Sequence, residues 1–222
     1  MNPHYFTLDR EPALEFVKEQ GAGTLVTARA DGTIDATVMP IVFRGDNLIM
    51  HMARFNDHWK SSDFPRAAAM IFTGAHDYIT SRDYDLPEGV SVASTWDYTQ
   101  VVIHGEVTVL DDREWVREAA VELTALWDKE EAENLEEKYL ERASKAIVGI
   151  SMTIDRIEGK AKLSQNRLPG ERAKISSTLR DRGTERASKL AEDIDAAPST
   201  ARRVPFLGGL HAAKKNNPPL AH

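Results

Sequence analysis

Three short segments hold the residue types that could do chemistry. The first is His51-Met52-Ala53-Arg54-Phe55-Asn56-Asp57-His58-Trp59-Lys60. Arg54, His58 and Lys60 follow a β-prone run and lead into a short helical turn. A strand end, the backbone N–H groups of a helix start and two or three cations all favour a dianion, so one reading is a phosphate site. The other is a solvated turn with Trp59 filling the core. The second segment is Thr95-Trp96-Asp97-Tyr98-Thr99-Gln100-Val101-Val102-Ile103-His104-Gly105. Trp96 and Tyr98 are two apart and share one face of a strand. They form either a wall against a planar ligand or a packed cross-strand pair. The third is Lys162-Leu163-Ser164-Gln165-Asn166-Arg167. Its mixed donors and acceptors suit the edge of a heterocycle. Equally, Ser164 or Asn166 could cap a helix that starts near Pro169.

Other chemistries are excluded by what is missing. The chain has no cysteine, so there is no disulfide framework, thiolate metal site or cysteine nucleophile. Histidines at 4, 51, 58, 76, 104, 211 and 222 form no metal-binding spacing. Gly-x-Ser-x-Gly, Walker and dinucleotide fingerprints are absent. Any enzymatic chemistry would therefore rest on a cofactor.

The elements that must position these segments are mostly strands. Asp9 to Gln20 reads as a helix ended by Gly21 and Gly23. Thr24–Ala28, Ile34–Phe43 and Leu48–Ala53 read as three strands of a meander, joined by turns at Asp31-Gly32 and Gly45-Asp46. Ala67–Thr80 and Tyr98–Leu110 are longer strands, with Gly105 as a bulge or close-approach point. Asp111-Asp112 caps a helix carrying Val116, Ala119, Ala120, Leu123 and Trp127 at helical spacing. An acidic helix follows over 130–142, then a strand over 146–157 and a polar loop over 159–166. Residues 169–195 read as helix broken at Gly183. About six strands with tight turns and peripheral helices predict a mainly β chain, a small antiparallel barrel with helices attached. The expected division is a barrel over 1–160, a loop and helices over 161–195 packing on the barrel or a partner, and an extended or partly disordered tail over 196–222.

The 222 residues suit one domain with an appendage, and 41% hydrophobic with 28% charged residues is ordinary for a globular protein. No secretory leader and no run of ~18 apolar residues is evident, so a cytoplasmic protein without a membrane span is expected. Residues 1–159 carry 15 basic against 29 acidic side chains; residues 160–222 carry 13 against 6, giving the net charge of −7. An acidic body repels nucleic acid, and only the stretch from Lys160 to Lys189 has the charge to touch it.

Taken in order, Val38-Met39-Pro40, His51 to Trp59, Trp96-Asp97-Tyr98 with Val102 and Gly105, and Lys162-Leu163-Ser164-Gln165-Asn166 resemble the PaiB-like family of FMN-binding negative transcriptional regulators. The resemblance covers roughly residues 1–180, and Lys-Leu-Ser-Gln-Asn is its most specific element. The family carries proline ahead of Trp-x-Tyr, where this chain has Ala93-Ser94-Thr95. The resemblance implies a six-stranded antiparallel FMN-binding split barrel with a C-terminal helical extension, and a homodimer with flavin at the subunit interface. It implies Arg54, His58 and Lys60 at the FMN phosphate, with Trp59 in the same segment and His51 beside the ribityl chain. Thr37, Val38 and Met39 would lie along the isoalloxazine. Trp96 and Tyr98 would flank it from the partner, and Lys162, Ser164 and Gln165 would close it. The implied role is repression, with DNA as a partner, although the chain shows no helix-turn-helix with a basic recognition helix. A flavin-dependent oxidoreductase is the alternative. Haem binding is the third, with His51, His104 or His211 as axial ligand.

Overall fold

The computed structural model describes residues 6–60, 64–84 and 92–200. The predicted tail beyond 200, with His211, lies outside them. By compactness the chain divides into two units, Met1–Gly74 with Tyr98–Ala161, and Ala75–Asp97 with Lys162–His222.

Nine strands and six α-helices occur among the described residues. They run β1 (Thr7–Leu8), α1 (Arg10–Gln20), β2 (Ala22–Ala28), β3 (Ile34–Pro40), β4 (Val42–Arg44), β5 (Asn47–Ala53), β6 (Arg66–Ile79) and β7 (Thr95–Leu110). Then follow α2 (Arg113–Trp127), α3 (Lys129–Glu133), α4 (Glu137–Ala146), β8 (Ile147–Thr153), β9 (Arg156–Lys162), α5 (Pro169–Asp181) and α6 (Glu185–Ala196). The sheet order is β3-β2-β6-β7-β8-β5-β4, with β9 joining β7 and β1 joining β9. This is a mainly antiparallel half-barrel with peripheral helices, the class the pattern predicts.

Two details differ from the sequence reading. The expected strand over 34–43 is two strands. Ile41 separates β3 from β4, is buried, and donates its N–H to the Gly21 carbonyl at 2.8 Å. β3 pairs with β2 along its whole length, whereas β4 pairs with β5. The three strands are therefore not a meander: the chain passes from one end of the sheet path to the other in a single residue. The expected strand over 146–157 is likewise two strands, β8 and β9, which pair with β7 rather than with each other. β8 pairs with β5 and β7, and β9 occupies part of what reads as a polar loop. With the short β1, also absent from the sequence reading, the described residues hold nine strands rather than six.

The core of the first unit follows from period-two alternation. β2 buries Leu25 and Thr27, β6 buries Ala68, Met70 and Phe72, and β5 and β8 bury Leu48, Met50, Met52, Val148, Ile150 and Met152. α1 adds Ala13 and Val17, and stops where Gly21 adopts φ 64° and returns its N–H to Val17. That conformation costs a glycine little. α2 begins at Asp112, whose side chain accepts from the Trp115 N–H at 2.8 Å. Its buried stripe is Val116, Ala119 and Leu123. Gly105 is the close-approach point expected: a Cβ there would run into the Thr153 carbonyl.

The second unit is a helical hairpin with the 75–97 excursion. α5 and α6 meet at Gly183, which has positive φ, and bury Ile175, Leu179, Leu190 and Ile194. Thr184 caps α6 by accepting from Ala187 N–H at 3.2 Å. Arg182 donates to the Tyr78 carbonyl at 2.8 Å and to Asp83 at 2.9 Å.

Candidate functional site

In the first unit the predicted cations are held by the protein itself. Arg54, at the end of β5, forks onto both Asp111 carboxylate oxygens and donates to the carbonyls of Lys145 at 3.1 Å and Ile147 at 3.2 Å. Its guanidinium lies 5.8 Å from the Trp59 ring, and Trp59 donates its indole N–H to the Arg54 carbonyl at 3.0 Å. Lys60 folds back on Asp57 at 2.7 Å and on the Phe55 carbonyl at 3.1 Å. Both cations brace the turn after β5.

His58 sits at the centre of that turn and is buried. Asn56 starts the 3-10 turn of residues 57–59 by accepting from the His58 N–H at 3.0 Å. The ring then spans two strands: Nε2 lies 2.9 Å from Thr27 Oγ1 on β2, and Nδ1 lies 2.9 Å from Thr37 Oγ1 on β3. In this arrangement neither ring nitrogen is left for a phosphate. Burial holds the imidazole below its ordinary pKa; Asp35 opposes that, and Arg66 and Arg29 reinforce it. His51 on β5 is also held below its ordinary value by burial, and its Nδ1 has no hydrogen-bond partner. Both rings are thus neutral at pH 7. Around His58, Arg29 forks onto Asp35 at 2.7 Å through Nε and Nη2. Those bonds hold the Asp35 carboxyl below the usual range.

Two features here were not legible as site residues. Arg66 falls just before the strand read over 67–80, yet it is buried, and its Nε and Nη2 have no acceptor among the described residues. The outer face of β3 is apolar and open: Ile34 is 63% and Val38 71% exposed, and Ala36 and Pro40 are also exposed. Thr37 and Met39 point the other way, Met39 into the core. Tyr98 lies under Lys160, whose ammonium is 5.3 Å from the ring.

In the second unit the conspicuous motif locks onto its own strand. Asp97 is 1% exposed. Lys162 donates to Asp97 at 3.1 Å, to the Trp96 carbonyl at 2.6 Å and to Thr95 Oγ1. Ser164 adopts φ 54° and donates to the other Asp97 oxygen at 2.6 Å. Gln165 is buried and accepts from Leu163 N–H at 2.8 Å. The Trp-Asp and Lys-Leu-Ser-Gln segments are thus two halves of one clamp. Ser164 serves neither the cap nor the free donor expected of it. Trp96 remains 45% exposed and donates its indole N–H to His76 Nδ1 at 3.2 Å.

The neutral histidines set an acid limit on stability. The unfolded chain takes up protons at the ordinary histidine pKa near ~6.5, whereas the buried rings resist them. Unfolding therefore takes up protons, and stability falls as pH drops below ~6.5 toward the depressed folded-state values. Thermal denaturation at pH 7.5 and 5.5 will show this loss, and His58→Gln will flatten the slope by up to ~1.4 kcal/mol per pH unit for the one proton removed. An unchanged slope in the variant would mean that His58 does not titrate this way.

Comparison with known proteins gives this geometry a family. Residues 1–156 match the family model described as "Putative FMN-binding domain". The chain belongs to that FMN-binding family. The protease synthase and sporulation protein PAI 2 of Bacillus subtilis is 29% identical over 204 residues, covering 86% of this chain and 94% of that protein. An uncharacterised protein of Aspergillus fumigatus is 26% identical over 154 residues, 60% of this chain and 59% of its own length. Among solved structures, the flavocytochrome Anf3 of Azotobacter vinelandii superposes with a TM-score of 0.57 at 12% identity, over 71% of this chain and 70% of its own. A FAD and haem binding protein of Mycobacterium smegmatis gives 0.54 at 18%, over 69% and 71%. At these identities the structures speak for the fold alone. The FMN-binding family, the PaiB-like relative and the half-barrel fold agree with the resemblance carried by the sequence motifs, and FMN is the cofactor of this domain type.

The residues present suit that group. An open apolar strand face offers a surface for a planar ring, a buried guanidinium lacks an acceptor, and an imidazole nitrogen is unpaired.

Proposed function

We propose that this protein is a PaiB-like flavin-binding regulator that works as a homodimer with FMN at the subunit interface. The outer face of β3 carries the reading. An end strand showing Ile34, Ala36, Val38 and Pro40 to solvent is an association hazard unless something covers it. A second copy together with a flavin ring fits that apolar stripe. Val38 then lies along the isoalloxazine with Ile34 and Ala36, while Thr37 and Met39 back the strand from its inner face, and Trp96 and Tyr98 approach from the partner. Bound FMN supplies hydride or electron transfer. The chain's own residues position it: His58 fixes the β2–β3 pair from below, and Arg54, Trp59 and Lys60 stiffen the turn beside it. Lys162, Ser164 and Gln165 hold the Trp96 strand in place.

Regulation through direct operator contact is disfavoured by where the cations go. Within the basic stretch, Lys162 is committed to Asp97, Arg180 to Asp195, Arg182 to Asp77 and Asp83, and Lys189 to Glu192 and Asp193. Arg172 is buried and caps the end of α6 through the Ile194 and Ala197 carbonyls. Five of the nine cations from Lys160 to Lys189 are thus held within the unit, which leaves fewer for phosphates. The regulatory reading is supported instead by the relative named for protease synthesis and sporulation.

Haem is a second reading with one observation behind it, the buried Nδ1 of a neutral, half-buried His51, unpaired among the described residues, which is the state an axial ligand needs. An absorbance titration separates the readings. The protein is expected to co-elute with FMN as a dimer and to give no Soret shift with haemin. A Soret shift lost in His51→Ala would replace FMN by haem. Oxidation of a nicotinamide cofactor by the flavin-loaded protein would move the reading to oxidoreductase. A colourless monomer after FMN addition would defeat it.

A further inference from the structure

Arg66 opens β6 and is 7% exposed, so its charge has been taken out of water. Only Nη1 meets described acceptors, and only at long range: Thr27 Oγ1 at 3.5 Å and the Ala28 carbonyl at 3.4 Å. The Phe64 ring covers the guanidinium at 4.1 Å. Nε and Nη2, the two donors along one edge, are buried with no acceptor among the described residues. Arg29 shows what that edge takes, because its own Nε and Nη2 fork onto the two oxygens of Asp35. The surrounding charges cancel in pairs, Arg29 with Asp35 and Lys60 with Asp57. His58 is bridged on both nitrogens by threonine hydroxyls. The Nε–Nη2 edge of Arg66 is therefore the arginine edge of this cluster that has no acceptor among the described residues, and buried charged donors left unpaired are costly unless a ligand supplies a partner.

We infer that the Nε–Nη2 edge of Arg66 is an oxyanion site that grips the phosphate monoester of the flavin, in place of the ion-paired Arg54 and Lys60. The threonines assist. A neutral His58 donates to one hydroxyl and accepts from the other, so one of Thr27 and Thr37 keeps its proton for a further acceptor. The arrangement offers a planar guanidinium fork plus one hydroxyl, the donor set that phosphate oxygens match. The identity of the ester rests on the flavin reading; the anion site does not.

The test compares FMN with riboflavin, which lacks the phosphate, in the wild-type chain and in Arg66→Met. The wild type is expected to prefer FMN by about 10–100-fold, the range of a charge-assisted fork. Arg66→Met should bring the two affinities together while leaving riboflavin binding unchanged. Methionine fills the space and removes the unpaired charge, so the ligand-free variant should melt no lower than wild type, whereas an arginine kept for the fold would cost stability when lost. A preference for FMN that survives in Arg66→Met overturns the inference and leaves flavin binding intact. If neither flavin binds the wild type, the flavin reading falls and the anion site is judged on inorganic phosphate at matched ionic strength. A rise in wild-type melting temperature that Arg66→Met lacks then upholds it, and no rise overturns it. If Arg66→Met does not fold, Arg66→Lys replaces it. One ammonium cannot form the fork, so an undiminished FMN preference there rejects the site.

Discussion

Asp97→Ala is expected to cost about 3–5 kcal/mol, because it removes one side of a buried ion pair and leaves the other uncompensated. For a chain of this size that is a drop in melting temperature on the order of 10 °C. The carboxylate is 1% exposed, receives Lys162 and Ser164 on separate oxygens, and joins segments more than 60 residues apart in sequence. The lost bonds are those that tie the Trp96 strand to the chain leading into α5. Pairing Asp97→Leu with Lys162→Met gives the sharper measurement. Removing both charges leaves neither unpaired, so the double variant should be more stable than the sum of the single losses predicts. Additive losses in calorimetry would mean that the clamp stores no coupling energy.

The second large effect concerns association. Ile34→Lys with Val38→Lys places two ammonium groups on the open face of β3. Both positions are exposed in the isolated chain, at 63% and 71%, so the fold itself should be unaffected. In a dimer that covers this face the charges would be buried without partners. Association should weaken by more than ~100-fold, equivalent to about 3 kcal/mol or more. Light scattering after gel filtration should show the mass falling from twice 24.7 kDa to the single-chain value. Flavin should be lost in parallel if it lies in the same interface. A variant that stays dimeric would place the interface elsewhere.

Local signals were readable from the sequence because they act between near neighbours. Asp112 before a 3.6-period stripe gave α2, Gly21 ended α1, and Gly183 divided the C-terminal helices. The aromatic and glycine positions of 96–105 marked a strand with a close-approach point. Together with the Lys162–Asn166 element they carried the family. The boundaries missed were those decided at long range. β5 chooses β8, about 100 residues away, over its neighbour β3, and that choice splits the run from 34 to 43 at Ile41. β9 was hidden because Glu158, Lys160 and Lys162 lie between the apolar positions of a strand that reads as polar.

For the candidate site the division is sharper. Sequence alone determined which donors the chain owns: two cations after β5, Arg54 and Lys60, a histidine between them, and a polar motif near 164. It could not determine which of them are already spent. A charge is neutralised by whatever carboxylate lies within about 4 Å, and such distances are set by strand pairing rather than by chain order. The fold gave Arg54 to Asp111, Lys60 to Asp57 and Lys162 to Asp97, and it closed His58 between two threonines. It left Arg66, an unremarkable residue at a strand start, as a buried cation whose Nε and Nη2 have no acceptor among the described residues, because the tertiary structure took that edge out of water without pairing it there.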